Sequence, residues 1–413
     1  MWERAIYDEN VVNLSSNLNE SQSKAVLACL LKKQRNHKSA VELIWGPPGT
    51  GKTKTVSMLL FSLLKMKCRT LTCGPTNVSI TEVASRVFKL VTESHEADSG
   101  TDSLFHSVGD ILLFGNKDRL KVDSETQEVY LDYRVKRLIE CFAPLTGWRN
   151  CFNSTIDFFE DCVSQYAIFV ENELIKMQEH DDENEEKRES CSYQAVALKG
   201  EPKTFLEFMR DRFRSTALPL KRCLTLLCTH IPETCILKHN IQNIVSLFGS
   251  LNSFESWLFH EDVISDELLE VFSHPGLDED SSQGFNDILL QLRLKRSECL
   301  TRLKRVWDSL RHLDLPSAMN KRSIEEFCFQ KATLFLCTAS SSYKLHLLPI
   351  EPLDFLVVDE AAQLKECEST IPLQLPGIRH AILIGDECQL PAMVVSNVWK
   401  SYLIVLLWSF LLN

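Results

Sequence analysis

The chain has 413 residues, 44% of them hydrophobic and 24% charged, which excludes a disordered or low-complexity polypeptide. That length is ample for a buried core in roughly two to three domains. The net charge of -11 excludes a uniformly basic nucleic-acid binder, but the charge is uneven: residues 1–90 carry 13 Lys+Arg against 6 Asp+Glu, whereas residues 261–290 carry 9 acids and no Lys or Arg. The 15 cysteines form no C-x-x-C pair, and residues 1–20 carry no secretory n-region and h-region, so reduced thiols inside the cell are expected.

Residues 18–35 predict a helix that starts near Asn19, with Ala25, Val26, Cys29 and Leu30 on one side. Val41 to Trp45 is a short apolar run and predicts a buried strand; a glycine-rich turn and a helix through Met58–Leu64 follow. Thr70 to Cys73 is the next strand, Gly74-Pro75 breaks it, and Asn77 to Leu90 reads as a helix. Strand–loop–helix twice over is the pattern of a parallel α/β sheet.

The pattern then stops. Val108–Phe114 and Glu128–Leu131 read as strands of a small β unit, and residues 132–180 and 203–310 as mostly helical. The acidic stretch 179–190 (EHDDENEEKRES) and residues 274–286 are expected to be loops. Strand signals return at Thr333–Cys337, Phe355–Val358 and Ala381–Ile384. Cys223, Cys228, His230, Cys235 and His239 crowd one stretch, but their spacing lacks the paired pattern of a structural zinc site, and buried helical thiols are expected instead.

Gly46-Pro47-Pro48-Gly49-Thr50-Gly51-Lys52-Thr53 fits G-x-x-x-x-G-K-[ST] between a predicted strand and a predicted helix. Glycines let backbone N–H groups face phosphates, and the helix N-terminus adds favourable partial charge. Lys52 brings a positive charge to the β and γ phosphates of ATP, and Thr53 a hydroxyl to Mg²⁺. Leu356 to Gln363 (LVVDEAAQ) is an apolar strand ending in two carboxylates, at the strand end where α/β sheets place ligand residues. Asp359 is expected to hold Mg²⁺, and Glu360 to orient and deprotonate the attacking water. Asp359 follows Lys52 by 307 residues, so a large insertion splits the sheet.

Four further pieces appear in order: Leu18–Gln22 (LNESQ), Cys73–Asn77 (CGPTN), Cys337–Ser340 (CTAS) and Gly385–Pro391 (GDECQLP). With the two motifs above, the sequence resembles superfamily 1 helicases, in the branch of senataxin and the regulator of nonsense transcripts. The resemblance covers residues 15–395 and implies a P-loop RecA-like parallel α/β sheet with a large inserted β-barrel and helical region. It implies ATP and Mg²⁺ as ligands, with Gln22 reading the adenine edge, Gln389 sensing the γ-phosphate, Gln363 ending the DEAAQ-type box, and Thr55 joining the nucleotide-binding set. Thr76 and Asn77 resemble residues that contact single-stranded RNA or DNA, and Thr338 and Ser340 stand beside them.

The implied division is 1–103 and 326–395 for the RecA-like lobe, 104–131 for the β-barrel, 132–325 for a helical stalk and insertion, and 396–413 for a divergent apolar tail. The insertion is expected to offer a surface to protein partners. The apolar run 402–413 is too short for a membrane span, so no membrane association is expected, and the nucleus is the compartment the resemblance suggests. The family's second RecA-like domain has no counterpart in the 22 residues after Pro391, so the sequence reads as a truncated N-terminal lobe. Two functions follow: a helicase-type ATPase seen as one lobe, or a non-catalytic nucleotide-binding interaction protein that competes with a full-length relative.

Overall fold

The computed structural model describes residues 18–32, 39–98, 105, 107–116, 118–120, 122–124, 126–187, 203–273, 287–313, 315, 316, 320–386, 388 and 389. The chain divides into two compact units: Met1–Glu140 with Leu226–Ile236 and Leu315–Asn413, and Cys141–Thr225 with Leu237–Asp314. The expected loop at 274–286 and the tail at 396–413 lie outside the described residues.

The strands are β1 (Ala40–Trp45), β2 (Thr70–Gly74), β3 (Ile111–Leu113), β4 (Leu334–Thr338), β5 (Phe355–Val358) and β6 (His380–Gly385). The helices begin with α1 (Glu20–Lys32), α2 (Lys52–Lys65), α3 (Asn77–Asp98), α4 (Leu131–Phe142), α5 (Trp148–Lys187) and α6 (Phe205–His230). They continue with α7 (Lys238–Leu258), α8 (Ser265–Ser273), α9 (Asp287–Arg311), α10 (Lys321–Lys331), α11 (Tyr343–His346) and α12 (Glu366–Leu373).

The strands form one parallel sheet in the order β1-β6-β5-β2-β4-β3. Parallel pairing puts every strand's C-terminal end on one edge, so loops far apart in sequence emerge as neighbours. One face of the sheet buries Leu334, Leu336, Phe355, Val357, Ile382 and Ile384 against α1, α2 and α3, with Ile44 half-buried beside them. On the other face Phe329 of α10 stacks on Phe335, with ring centroids 6.4 Å apart. This is the α/β RecA-like fold expected. No described helix is long and apolar enough to cross a membrane.

Four expectations need correction. β1 is an edge strand rather than a buried one, with Val41 51% and Trp45 57% exposed, because an apolar run carries no information on how many neighbours it will have. β3, expected outside the main sheet, pairs in parallel with β4 as the opposite edge. Arg134, fully buried in α4, holds this strand in place by donating to the carbonyls of Val108 (2.7 Å), Gly109 (3.0 Å) and Ile111 (2.7 Å). The expected strand at 128–131 is instead a 3-10 turn, Gln127–Val129, joined to β3 only by an isolated Leu113–Tyr130 bridge. Asp123 starts that turn by accepting from the Thr126 amide (2.8 Å) and hydroxyl (2.6 Å). The acidic stretch is helical through Lys187, where Glu and Lys have good helix propensity despite their charge.

The second unit is helical, with α7, α8 and α5 packed on α9. Its core centres on phenylalanines, with Phe159 and Phe254 5.0 Å apart and Phe213 edge-on or tilted to both. α5 departs from helical geometry at Asp161. Arg296 takes up carbonyls at this break, donating to Phe159 O (2.7 Å) and Glu160 O (3.1 Å). Of the clustered cysteines, Cys223 and Cys228 are buried in α6, as expected of helical thiols, whereas Cys235 is half-buried in a turn.

Candidate active site

The phosphate-loop motif spans the turn from β1 into α2. Gly49 and Gly51 have φ of +83° and +81°, where an L side chain is strained. At Gly51 a Cβ would also lie 2.6 Å from Gln22 Nε2, so that side chain would have to shift. Thr50 closes the turn, its amide and hydroxyl donating to Pro47 O at 3.3 and 2.7 Å. Pro48 is exposed on the loop. Gly46 N donates to Gly385 O at 3.3 Å, tying the loop to the end of β6.

Lys52 opens α2. Its ammonium donates to Gly46 O at 2.8 Å and stands 3.8 Å from Glu360 Oε1. Thr53 is half-buried on the same first turn. Thr55 is buried and its hydroxyl donates back to Gly51 O at 3.2 Å, so it braces the loop from within the helix.

Asp359 and Glu360 follow β5 directly. The Asp359 amide donates to Cys73 O at 2.8 Å, which fixes the carboxylate at the strand edge. Asp359 is 3% exposed, and its Oδ1 has no hydrogen-bond partner among the described residues. Burial, reinforced by the charge of Glu360, raises its pKa to about 6. A buried carboxylate with one oxygen left without a partner fits a divalent-cation ligand, since a cation supplies the charge and coordination that the protein withholds there. Glu360 adopts a left-handed backbone, φ 50° and ψ 44°, uncommon for a non-glycine residue and often found at functional sites. Gln363 Nε2 donates to Glu360 Oε2 at 3.2 Å and orients it. These features fit Mg²⁺ held by Asp359 and Thr53, beside phosphates cradled by the loop.

Gln22 is engaged at both ends of its amide. It accepts from Asn19 N at 3.0 Å and donates to Thr50 O at 2.9 Å, while Asn19 Oδ1 accepts from Gln22 N at 2.9 Å. The pair caps α1 reciprocally and holds the phosphate loop to that helix. Gln389 Nε2 donates to Asp386 Oδ2 at 3.3 Å.

The loops after β2 and β4 emerge side by side, since Gly74 and Thr338 are register partners. Thr76 Oγ1 accepts from Ser79 N at 3.1 Å and caps α3, and Asn77 begins that helix. Thr338 Oγ1 donates to Ser341 Oγ at 2.8 Å, and Ser340 is exposed beside it. The two hydroxyls thus hold turns, with Asn77 and Ser340 placed at the same sheet edge.

Two carboxylates at this edge lie outside the expected set. Asp386 is buried at the end of β6 and accepts from Cys388 N at 3.0 Å. The rule that found Asp359, a carboxylate closing an apolar strand, applies to it equally. Glu82, on the second turn of α3, helps raise the Asp359 pKa, and no spacing in the sequence marks it.

The AAA domain family matches residues 17–397. The ATP-dependent helicase upf1 of Schizosaccharomyces pombe is 38% identical over 89 residues, which are 20% of this chain and 9% of that protein. The probable helicase senataxin of Homo sapiens is 30% identical over 144 residues, 31% of this chain and 5% of its own length. The DNA-binding protein SMUBP-2 of Rattus norvegicus is 34% identical over 73 residues, 18% and 7% respectively. The matched stretches therefore span less than a tenth of each of these relatives.

Proposed function

The chain belongs to the AAA domain family, among superfamily 1 helicase relatives, and from that premise we propose that it binds Mg-ATP and single-stranded nucleic acid and hydrolyses ATP. The observation that carries the proposal is the approach of Lys52 Nζ to Glu360 Oε1, 3.8 Å, beside the Asp359 Oδ1 that has no hydrogen-bond partner among the described residues.

Each residue then has a role. Backbone N–H groups of Gly49–Thr53 and the Lys52 ammonium hold the phosphates. Thr53 and Asp359 hold Mg²⁺, which when bound neutralises charge on the phosphate oxygens. Glu360, oriented by Gln363, accepts a proton from the attacking water. Gln389, held by Asp386, is placed to report the γ-phosphate to neighbouring loops. Asn77 and Ser340, on the turns that Thr76 and Thr338 brace, meet the nucleic-acid backbone. The N-terminal excess of Lys and Arg makes that contact salt-sensitive.

Single-turnover hydrolysis with Mg-ATP, with and without a single-stranded oligonucleotide, tests the proposal. Hydrolysis lost in Glu360→Gln supports it. ATP binding with no hydrolysis in the parent chain favours the non-catalytic reading.

A further inference from the structure

β4 ends at Thr338 on the edge that carries the phosphate loop, and a 3-10 turn, Ser340–Ser342, leads without a break into α11. This segment is firmly held. Ala339 N donates to Gly74 O at 3.0 Å, and Ser342 Oγ to Ala339 O at 2.6 Å. Leu345 is 1% exposed and fixes α11 to the core. Two residues earlier on the same short helix, Tyr343 is 57% exposed. A large aromatic side chain on a rigid element thus gains little from burial.

His346 lies beside the Tyr343 ring, with centroids 6.4 Å apart and planes at 35°. The imidazole is itself held, its Nε2 lying 2.9 Å from Ile371 O. It backs the tyrosine and limits its rotation. Lys344, exposed between the two rings in sequence, adds a cation. A rigid exposed ring beside a cation is the combination that binds single strands without reading sequence: the ring stacks a base and the cation meets a phosphate. The position agrees, because the β2 and β4 loops are adjacent and Tyr343 follows Ser340 by one turn.

We propose that Tyr343, backed by His346, is a stacking platform for one base of a bound single strand, with Lys344 on the neighbouring phosphate. The inference rests on the strand-binding reading above and adds to it a residue that takes the base rather than the backbone.

Fluorescence anisotropy with a labelled oligo-dT, intact or carrying abasic sites, tests it on the full chain. The parent should bind the intact strand more tightly than the abasic one. Tyr343→Ala should weaken intact-strand binding roughly tenfold and bind the abasic strand like the parent, while Tyr343→Phe keeps parent affinity. If the parent binds both strands equally, or Tyr343→Ala matches the parent on the intact strand while Asn77→Ala weakens it, the platform is wrong and strand binding stands. If the parent binds neither strand, both readings fall. A Tyr343 surface that serves a protein partner instead gives the second of these results.

Discussion

The Lys52 ammonium stands 3.8 Å from the carboxylate of Glu360, a residue 308 positions further along the chain. The sheet makes this approach. β5 and β6 pair in parallel, β6 pairs with β1, and the Gly46 amide bonds to Gly385, so the loop after β1 is drawn across the end of β6 toward the end of β5. The inserted residues leave the two halves of the site in place because they return to the sheet through β4.

The two left-handed glycines of the loop should respond differently to alanine. At Gly49 the space is open, so Gly49→Ala meets only backbone strain, about 1–2 kcal/mol. At Gly51 the new Cβ also meets Gln22 Nε2 at 2.6 Å, so Gly51→Ala should lower stability and ATP-analogue affinity further. Gln22→Ala removes the hydrogen bond to Thr50 but also the obstacle, so the double substitution should be less damaging than the two singles added together. Chemical denaturation of the four variants measures this, and strict additivity would show that the side chains do not meet.

Asp359 predicts a pH dependence of definite sign. Its pKa is raised from 3.8 to about 6 in the fold, so between these values the folded chain keeps a proton that the unfolded chain has released. Without metal, stability is fully present below pH 3.8 and falls as pH rises through 6, by on the order of 2–3 kcal/mol. Asp359→Asn should therefore raise the metal-free melting temperature at pH 7.5. It should also remove the Mg²⁺ dependence of nucleotide binding, which in the parent should weaken as pH falls below about 6. A metal-free melting temperature that drops in Asp359→Asn contradicts this account of the site.

His230 acts in the opposite direction. Its imidazole is buried near Arg134 and Arg137, and its pKa is lowered to about 3, first by burial and then by those charges. Glu128 Oε2 is only 3.3 Å from Nε2, yet neither ring nitrogen has a hydrogen-bond partner, so the carboxylate does not rescue the charged form. Acidification below 6.5 protonates the unfolded imidazole and not the folded one, so stability is lost progressively toward pH 3. At pH 5 the loss is about 2 kcal/mol. Urea unfolding from pH 7.5 to 5, done in Asp359→Asn to remove the opposing titration, should show this decline, and His230→Phe should flatten it.

Much of the candidate site is legible because a phosphate loop and strand-end carboxylates demand particular residue types in particular places. Left-handed loop positions call for glycine, and carboxylates that act on a shared edge must close apolar strands. All six strands are visible as short apolar runs between turn signals. Their neighbours are not: the runs at Val41–Trp45 and Ile111–Leu113 look equally apolar, yet both lie at sheet edges, one half-exposed and the other covered. The acidic stretch reads as a loop from its charge alone, yet Glu and Lys have good helix propensity and the helix runs through Lys187. The Gln22 bond to Thr50, 28 residues away, and the influence of Glu82 on Asp359 arise from packing that no local pattern encodes.

The most direct test of the central claim, that Lys52, Asp359 and Glu360 form one Mg-ATP site, is equilibrium binding of a fluorescent ATP analogue with and without Mg²⁺. Lys52→Ala should weaken binding by roughly 10- to 100-fold or more, since it removes a charge-assisted contact to phosphate. Asp359→Ala should keep the Mg²⁺-free affinity and lose the gain that Mg²⁺ brings. A Lys52→Ala chain that binds the analogue as tightly as the parent in the presence of Mg²⁺ would contradict the assignment.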